Sequence, residues 1–217
     1  MGTYDTIIKR RNNNNDGWDV FLPFTIAKNV LFNDGENDVE ETLLKLLSSK
    51  YVDLNFSAIA MGKSNSSPDI INLSNTNIKT YAFDGTNKVE ELSCGDEIPH
   101  GYVEGTDISA HLHWRPTTTN AGNIKWFIDV TWENDGDVPS SQTLSSIVSS
   151  DEVAWKNQFL SLGTLDGTGK KINSQLSVRI YRDPNDPDDT YPDKAALISF
   201  GFHVQVDALG SSTISEK

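Results

Sequence analysis

At 217 residues, 36% of them hydrophobic and 23% charged, the chain has the composition of a globular protein, long enough for one large all-β domain and a short appended segment. Its formal net charge of −13, with Lys9-Arg10-Arg11 as its one basic cluster, argues against nucleic acid and anionic membrane surfaces as partners. A single cysteine, Cys94, excludes an internal disulfide framework and a cysteine-rich zinc site, and no apolar run approaches the ~18 residues of a membrane span.

In chain order, MGTYDTIIKRR has no apolar signal-peptide core, so synthesis without a cleaved secretion signal is expected. The asparagine run Asn12–Asn15 ends at Asp16-Gly17, a turn signal. WDVFLPFTIAKNVLF follows, apolar but irregular, with Pro23 set against a helix through its middle. Trp18, Phe21, Phe24 and Phe32 need burial that so short a segment cannot give itself, so an extended arm packed on another chain or on the following domain is expected.

Residues 38–49, DVEETLLKLLSS, carry the best helix pattern. Asp38 can cap the N-terminus, Glu41 completes a capping box, and Val39, Leu43 and Leu46 form a narrow seam widened by Leu44 and Leu47. About three turns are marginal alone in water, so packing against copies of itself, a homotrimer being favoured, or against another protein is expected.

From Tyr51 onward the pattern is that of strands. Ile124, Trp126, Ile128, Val130 and Trp132 alternate with Lys125, Phe127, Asp129 and Thr131. Leu176, Val178 and Ile180 repeat the alternation, and Ile198, Phe200, Phe202, Val204 and Val206 are predicted inward on the last strand. Long Gly-, Pro- and Asp-rich connections separate them, and Cys94 reads as a small residue near a turn. The chain therefore reads as all-β: a two-sheet sandwich over 51–217, jelly-roll-like although an immunoglobulin-like order fits nearly as well, preceded by an arm and one short helix over 1–50.

HGYVEGTDISAHLHW, residues 100–114, holds three of the four histidines. Ile108, Ala110, Leu112 and Trp114 read as inward, so His111 and His113 point outward, as does His203 on its own strand. With Asp129, on an assumed hairpin partner strand, they are candidate metal ligands. A His-x-His pair without a third ligand at fixed spacing is weak, and the preferred reading is a covered polar sheet face, with no metal and no cofactor. Glu104 and Asp107 could form a glycosidase carboxylate pair, but Gly105 between them marks a turn, and no nucleophile, zinc-protease or nucleotide motif appears. Asp183, Asn185, Asp186, Asp188 and Asp189 are oxygen-dense but break the EF-hand pattern, so a solvated loop is expected.

Two stretches resemble bacteriophage virion proteins. YDTIIKRRNNNNDGWDVFLPFTIAKNVL, running into the helix, resembles the leading segment of phage tail-fibre and other appendage proteins. PHGYVEGTDISAHLHWRP, IKWFIDVTWENDGD and VRIYRDPNDPDDTYPDKAALISFGFHVQVDALGS, in that order, are similar to a family of phage structural domains and cover most of the chain from Val52. The resemblance implies a non-enzymatic virion component, a tail fibre, head fibre or decoration protein assembled in the host cytoplasm, with capsid, neck or tail proteins as partners. Trp18, Phe21, Phe24, Val39, Leu43 and Leu46 would then serve attachment and oligomerisation. The alternative is a carbohydrate-binding module for a host-surface glycan, with Trp155 and Tyr191 as candidate contacts. A metal-dependent enzyme is a third reading.

Overall fold

The computed structural model describes residues 8–11, 18–21, 50–211 and 213. The chain divides into two units, Met1–Ser48 and Ser49–Lys217. In the first, β1 (Ile8–Arg11) and β2 (Trp18–Phe21) pair antiparallel, with Ile8 opposite Phe21 and Arg11 opposite Trp18. The arm expected to be extended thus contains paired strands, and the Asn-rich stretch ending in Asp-Gly between them has the composition of a chain reversal. The expected helix over 38–49, and with it Val39, Leu43 and Leu46, lies outside the described residues, as does Phe24; Trp18 and Phe21 are placed only as the ends of β2.

The second unit is a two-sheet sandwich of β3 (Lys50–Ser57), β4 (Gly62–Lys63), β5 (Asp69–Asn72), β6 (Lys79–Phe83), β7 (Glu90–Glu97), β8 (Ile108–Pro116), β9 (Asn123–Glu133), β10 (Ser141–Ser149), β11 (Gln158–Leu165), β12 (Gln175–Arg182) and β13 (Ala195–Val206). One sheet runs β10-β9-β12-β7-β4; the other runs β11-β8-β13-β6-β5, with β3 also on β13. From β6 to β13 the chain is a single wound-up ribbon: β6 pairs β13, β7 pairs β12, β8 pairs β11 and β9 pairs β10. This is the winding of a jelly roll, and it settles the choice against an immunoglobulin-like order. Within this ribbon β9–β10 is the hairpin at the tip, and from β6 to β9 successive strands alternate between sheets. The expected hairpin between β8 and β9 is therefore absent: RPTTTNAGN crosses from one sheet to the other.

The alternations predicted for β8, β9 and β12 hold. Ile108, Ala110, Leu112 and Trp114 from one sheet meet Ile124, Trp126, Ile128 and Val130 from the other, all at most 1% exposed. Phe83 packs edge-on to Trp126 across the sandwich at 4.9 Å between centroids. On β13 the prediction fails at one residue. A bulge between Leu197 and Ser199 makes Ile198 the extra residue against β8, so the inward positions become Ala195, Leu197, then Phe200, Phe202 and Val204. Ile198 is half-buried instead of in the core. Cys94 lies within β7 rather than at a turn, and burial pushes its thiol up to about 12.

The loop after β12, expected to be solvated, is so at Asn185 and Asp188 but not at Asp189. Arg182 continues the inward parity of Leu176, Val178 and Ile180, and its fully buried guanidinium forks onto Asp189 at 2.9 and 2.7 Å. Its remaining N–H groups donate to the carbonyls of Tyr191 and Asp193. Asp186 and Asp188 both hold Lys125, so three of the loop's four aspartates are paired with cations of the chain itself, while Asp183 accepts from Asn185.

Candidate functional site

Each sheet has an outer face with organised polar residues. On the five-stranded sheet, cross-strand register sets three rows side by side. Gly95, Ser177, Thr131 and Ser141 form a row of small residues; Ser93, Arg179, Asp129 and Thr143 form the next; Glu91, Tyr181, Phe127 and Ser145 the third. Small side chains beside tall ones leave a trench of about 440 Å³ lined by Ser93, Asp129, Thr131, Ser141, Ser177 and Arg179. Arg179 donates to Asp129 at 2.8 Å and to Glu91, and Thr143 donates to Asp129 at 2.7 Å. The Arg179 bond holds the Glu91 carboxyl below its usual range. Burial would lower the pKa of Arg179, but the bonds to Asp129 and Glu91 outweigh it and raise it, so the cluster stays charged. The Tyr181 ring lies between Phe127, parallel at 4.9 Å, and the Arg179 guanidinium at 4.0 Å. With both faces occupied, it acts as a rigid wall.

Asp129 is thus committed to Arg179 on the opposite side of the sandwich from the histidines, and it cannot join them. The reason is the missing β8–β9 hairpin.

The histidines share the outer face of the six-stranded sheet, as their parity predicts. His111 stands opposite Gly201 and is only 6% exposed. Its ring lies across β13 because Gly201 has no side chain: a Cβ there would sit 3.3 Å from the His111 Cε1 and 2.7 Å from the Leu54 carbonyl oxygen. His203 stacks on His111 with centroids 4.2 Å apart and planes 16° apart. Asp53, the register partner of His203 on β3, reaches its Nε2 at 3.2 Å. One ligand atom each from Asp53, His111 and His203 lie within 4.8 Å of one another. His113 takes a separate path, with its Nδ1 3.3 Å from Asn157 Nδ2 and its ring edge-on to His111. Phe159, 53% exposed, stacks on His111 at 5.6 Å.

The covered, hydrogen-bonded face expected from sequence divides: His111 is covered but its Nδ1 has no partner, whereas His113 and His203 have polar partners but stand partly open to solvent. Burial, and then the neighbouring His203, lower the pKa of His111 against the opposing pull of Asp53. Asp53 was not foreseen as a member, because β3 carries no pattern that announces its place on β13.

The other candidates have structural roles. Tyr191 is fully buried, edge-on to Trp114, with its hydroxyl at Thr118, so it offers no ring face to a glycan. Trp155 is half-buried in a left-handed turn (φ 67°), its N–H bonded to the Pro116 carbonyl and its own carbonyl to Arg115. Glu104 and Asp107 accept the backbone N–H groups of Ile172 and Gly167 and tie down one loop.

No protein-family model and no curated protein matches the sequence. Among solved structures, the chain is similar to the CBM36-1 domain of a multidomain xylanase from the hindgut metagenome of Trinervitermes trinervoides, at 12% identity and TM-score 0.38 over 75% of this chain and 100% of that one. It is also similar to CBM35 from Cellvibrio japonicus Abf62, at 10% identity and TM-score 0.39 over 76% and 99%. A third is the family 11 carbohydrate-binding module from Clostridium thermocellum in complex with a mixed-linked tetrasaccharide, at 12% identity and TM-score 0.34 over 75% and 98%.

Proposed function

We propose that the sandwich is a non-catalytic carbohydrate-recognition module whose sugar site is the trench across β7, β12, β9 and β10. The observation that carries this reading is the juxtaposition of small residues (Ser177, Thr131, Ser141) with the fixed Arg179–Asp129 pair on one rigid sheet face. Hydroxyls that both donate and accept, beside a planar donor fork and a carboxylate, complement a ligand made of hydroxyls. Because the side chains are held by each other and by strands, little ordering cost falls on binding.

A glycan array probed with the full chain tests this, followed by titration of the best sugar against Arg179→Ala and Ser177→Trp. Each variant should lower affinity at least tenfold, the first by removing donors and the second by filling the trench. An array without hits, or a hit that both variants leave unchanged, would defeat the reading.

A second reading concerns what carries the module. On the sequence resemblance alone, the Met1–Ser48 unit would attach the module to a phage particle as a homo-oligomeric appendage. A chain beginning at Ser49 should fold and keep any sugar affinity while failing to join particles. Incorporation equal to that of the full chain would refute it.

A further inference from the structure

We propose that His111, His203 and Asp53 form a binding site for a divalent transition-metal ion of the zinc class, on the opposite sheet from the trench. The site stands independently of the carbohydrate reading.

Donor chemistry selects the ion. Two imidazoles and one carboxylate suit zinc and its neighbours in the first transition row; calcium and magnesium take all-oxygen shells. The geometry is close to what such an ion needs. With bonds of about 2.0–2.1 Å, tetrahedral ligand atoms lie about 3.3 Å apart. His203 Nε2 and Asp53 Oδ1 are already 3.2 Å apart, and one ligand atom from each of the three residues lies within 4.8 Å of the other two.

Closing the remaining gap falls to side chains able to move. The His203 and Asp53 side chains are 41% and 57% exposed, whereas His111 is packed between Phe159 and His203 over Gly201. His203, stacked on His111 with solvent on one side, has room to adjust its ring to share an ion. His111 then acts as the fixed ligand and the other two close on it, with further coordination positions facing solvent.

One further observation favours an ion over a hydrogen-bonded cluster. A buried polar nitrogen without a partner is uncommon in a folded protein, and His111 Nδ1 is one. His113 is left out because it is turned to Asn157.

The test uses the untagged full chain, stripped with EDTA, desalted and titrated with ZnCl2 alone by calorimetry, with Co2+ absorption as an independent readout of coordination. One equivalent of Zn2+ should bind with micromolar or tighter affinity, and Co2+ should give visible d–d bands. Asp53→Asn and His203→Gln, at exposed positions where the fold is not at stake, should each weaken binding at least tenfold. His113→Gln and His100→Gln should not. His111→Gln should abolish the cobalt bands if circular dichroism shows that it folds. Absence of stoichiometric binding in the parent overturns the proposal. So does binding that Asp53→Asn and His203→Gln leave intact, or that His113→Gln removes.

Discussion

Removing the Asp189 carboxylate should be among the most damaging single changes in the sandwich. Its Oδ1 accepts from Arg182 Nη2 at 2.7 Å, and its Oδ2 accepts from Arg182 Nε at 2.9 Å and from the backbone N–H of Lys125 at 3.1 Å. In Asp189→Ala all three donors lose their acceptor, and a guanidinium with no solvent exposure keeps its charge with only carbonyls around it. Breaking a buried pair from one side costs about 3–5 kcal/mol. That is a large part of the ~5–15 kcal/mol that holds a domain folded, and for a unit of this size it corresponds to a drop in Tm of roughly 6–20 °C. Urea unfolding followed by tryptophan fluorescence should show a lower midpoint at unchanged slope. The double variant Arg182→Met/Asp189→Leu, which removes both charges, should be less damaged than the sum of its single variants, by at least about 1 kcal/mol of coupling. A loss below about 1 kcal/mol for Asp189→Ala, or strict additivity in the cycle, would show that the pair does not organise the loop.

Asp84 accepts from the Thr86 hydroxyl and from the backbone N–H groups of Thr86, Asn87 and Lys88; burial opposes ionisation, but these bonds outweigh it and lower the pKa from 3.8 to about 2. A depressed carboxylate contributes its stability above the unfolded pKa and loses it as pH falls toward the folded one, so Asp84→Asn should cost up to about 2 kcal/mol at pH 7 and progressively less between about pH 4 and pH 2. An equal cost at pH 7 and pH 2.5 by urea unfolding would contradict this. Cys94, with its thiol pushed up to about 12, should resist alkylation at pH 8 in the folded chain and react fully in urea; rapid native labelling by mass spectrometry would mean the strand opens. Deleting Ile198 should be tolerated about as well as Ile198→Ala, since Leu197, Ser199 and Phe200 already oppose the consecutive β8 residues Trp114, His113 and Leu112 and keep their faces without it; a far lower urea midpoint for the deletion would show that the bulge itself is needed.

Most of the fold was legible because half-buried strands advertise themselves. Trp126, Ile128 and Val130 between Lys125, Phe127, Asp129 and Thr131 fix a face without any knowledge of neighbours. What the pattern omits is pairing. β8 and β9 are consecutive and both alternate cleanly, yet they belong to different sheets, because the jelly roll joins strands by winding rather than by adjacency in sequence. Ile198 misleads for a related reason: a bulge changes parity within one strand, and LISFGFHV shows no break at that point. Arg182 was readable in retrospect. A charged residue at the inward parity of Leu176, Val178 and Ile180 requires a buried counter-charge, and the next loop is full of aspartates.

The same distinction governs the two outer faces. His111 and His203 could be placed outward from sequence, but their meeting depends on β8 lying beside β13, and Asp53 enters only because β3 takes the stretch of β13's edge that β6 leaves free. A parity argument assigns a residue to a side of a sheet; it cannot say which other residues share that side until the strand order is known. Asp129 shows the cost of assuming the order. Placed with the histidines by a presumed hairpin, it stands on the opposite sheet, bonded to Arg179. The error also separates two chemistries. The trench face holds its carboxylates on an arginine and leaves hydroxyls facing outward, an arrangement suited to a neutral polyol; the histidine face holds a carboxylate beside two imidazoles, an arrangement suited to an ion. With a sandwich core of Trp114, Trp126 and Phe200 between them, a change on one face should leave the other's binding untouched. Zinc titration of Arg179→Ala and sugar titration of His203→Gln should each match the parent, and a loss in either would mean that the two faces are coupled through the core.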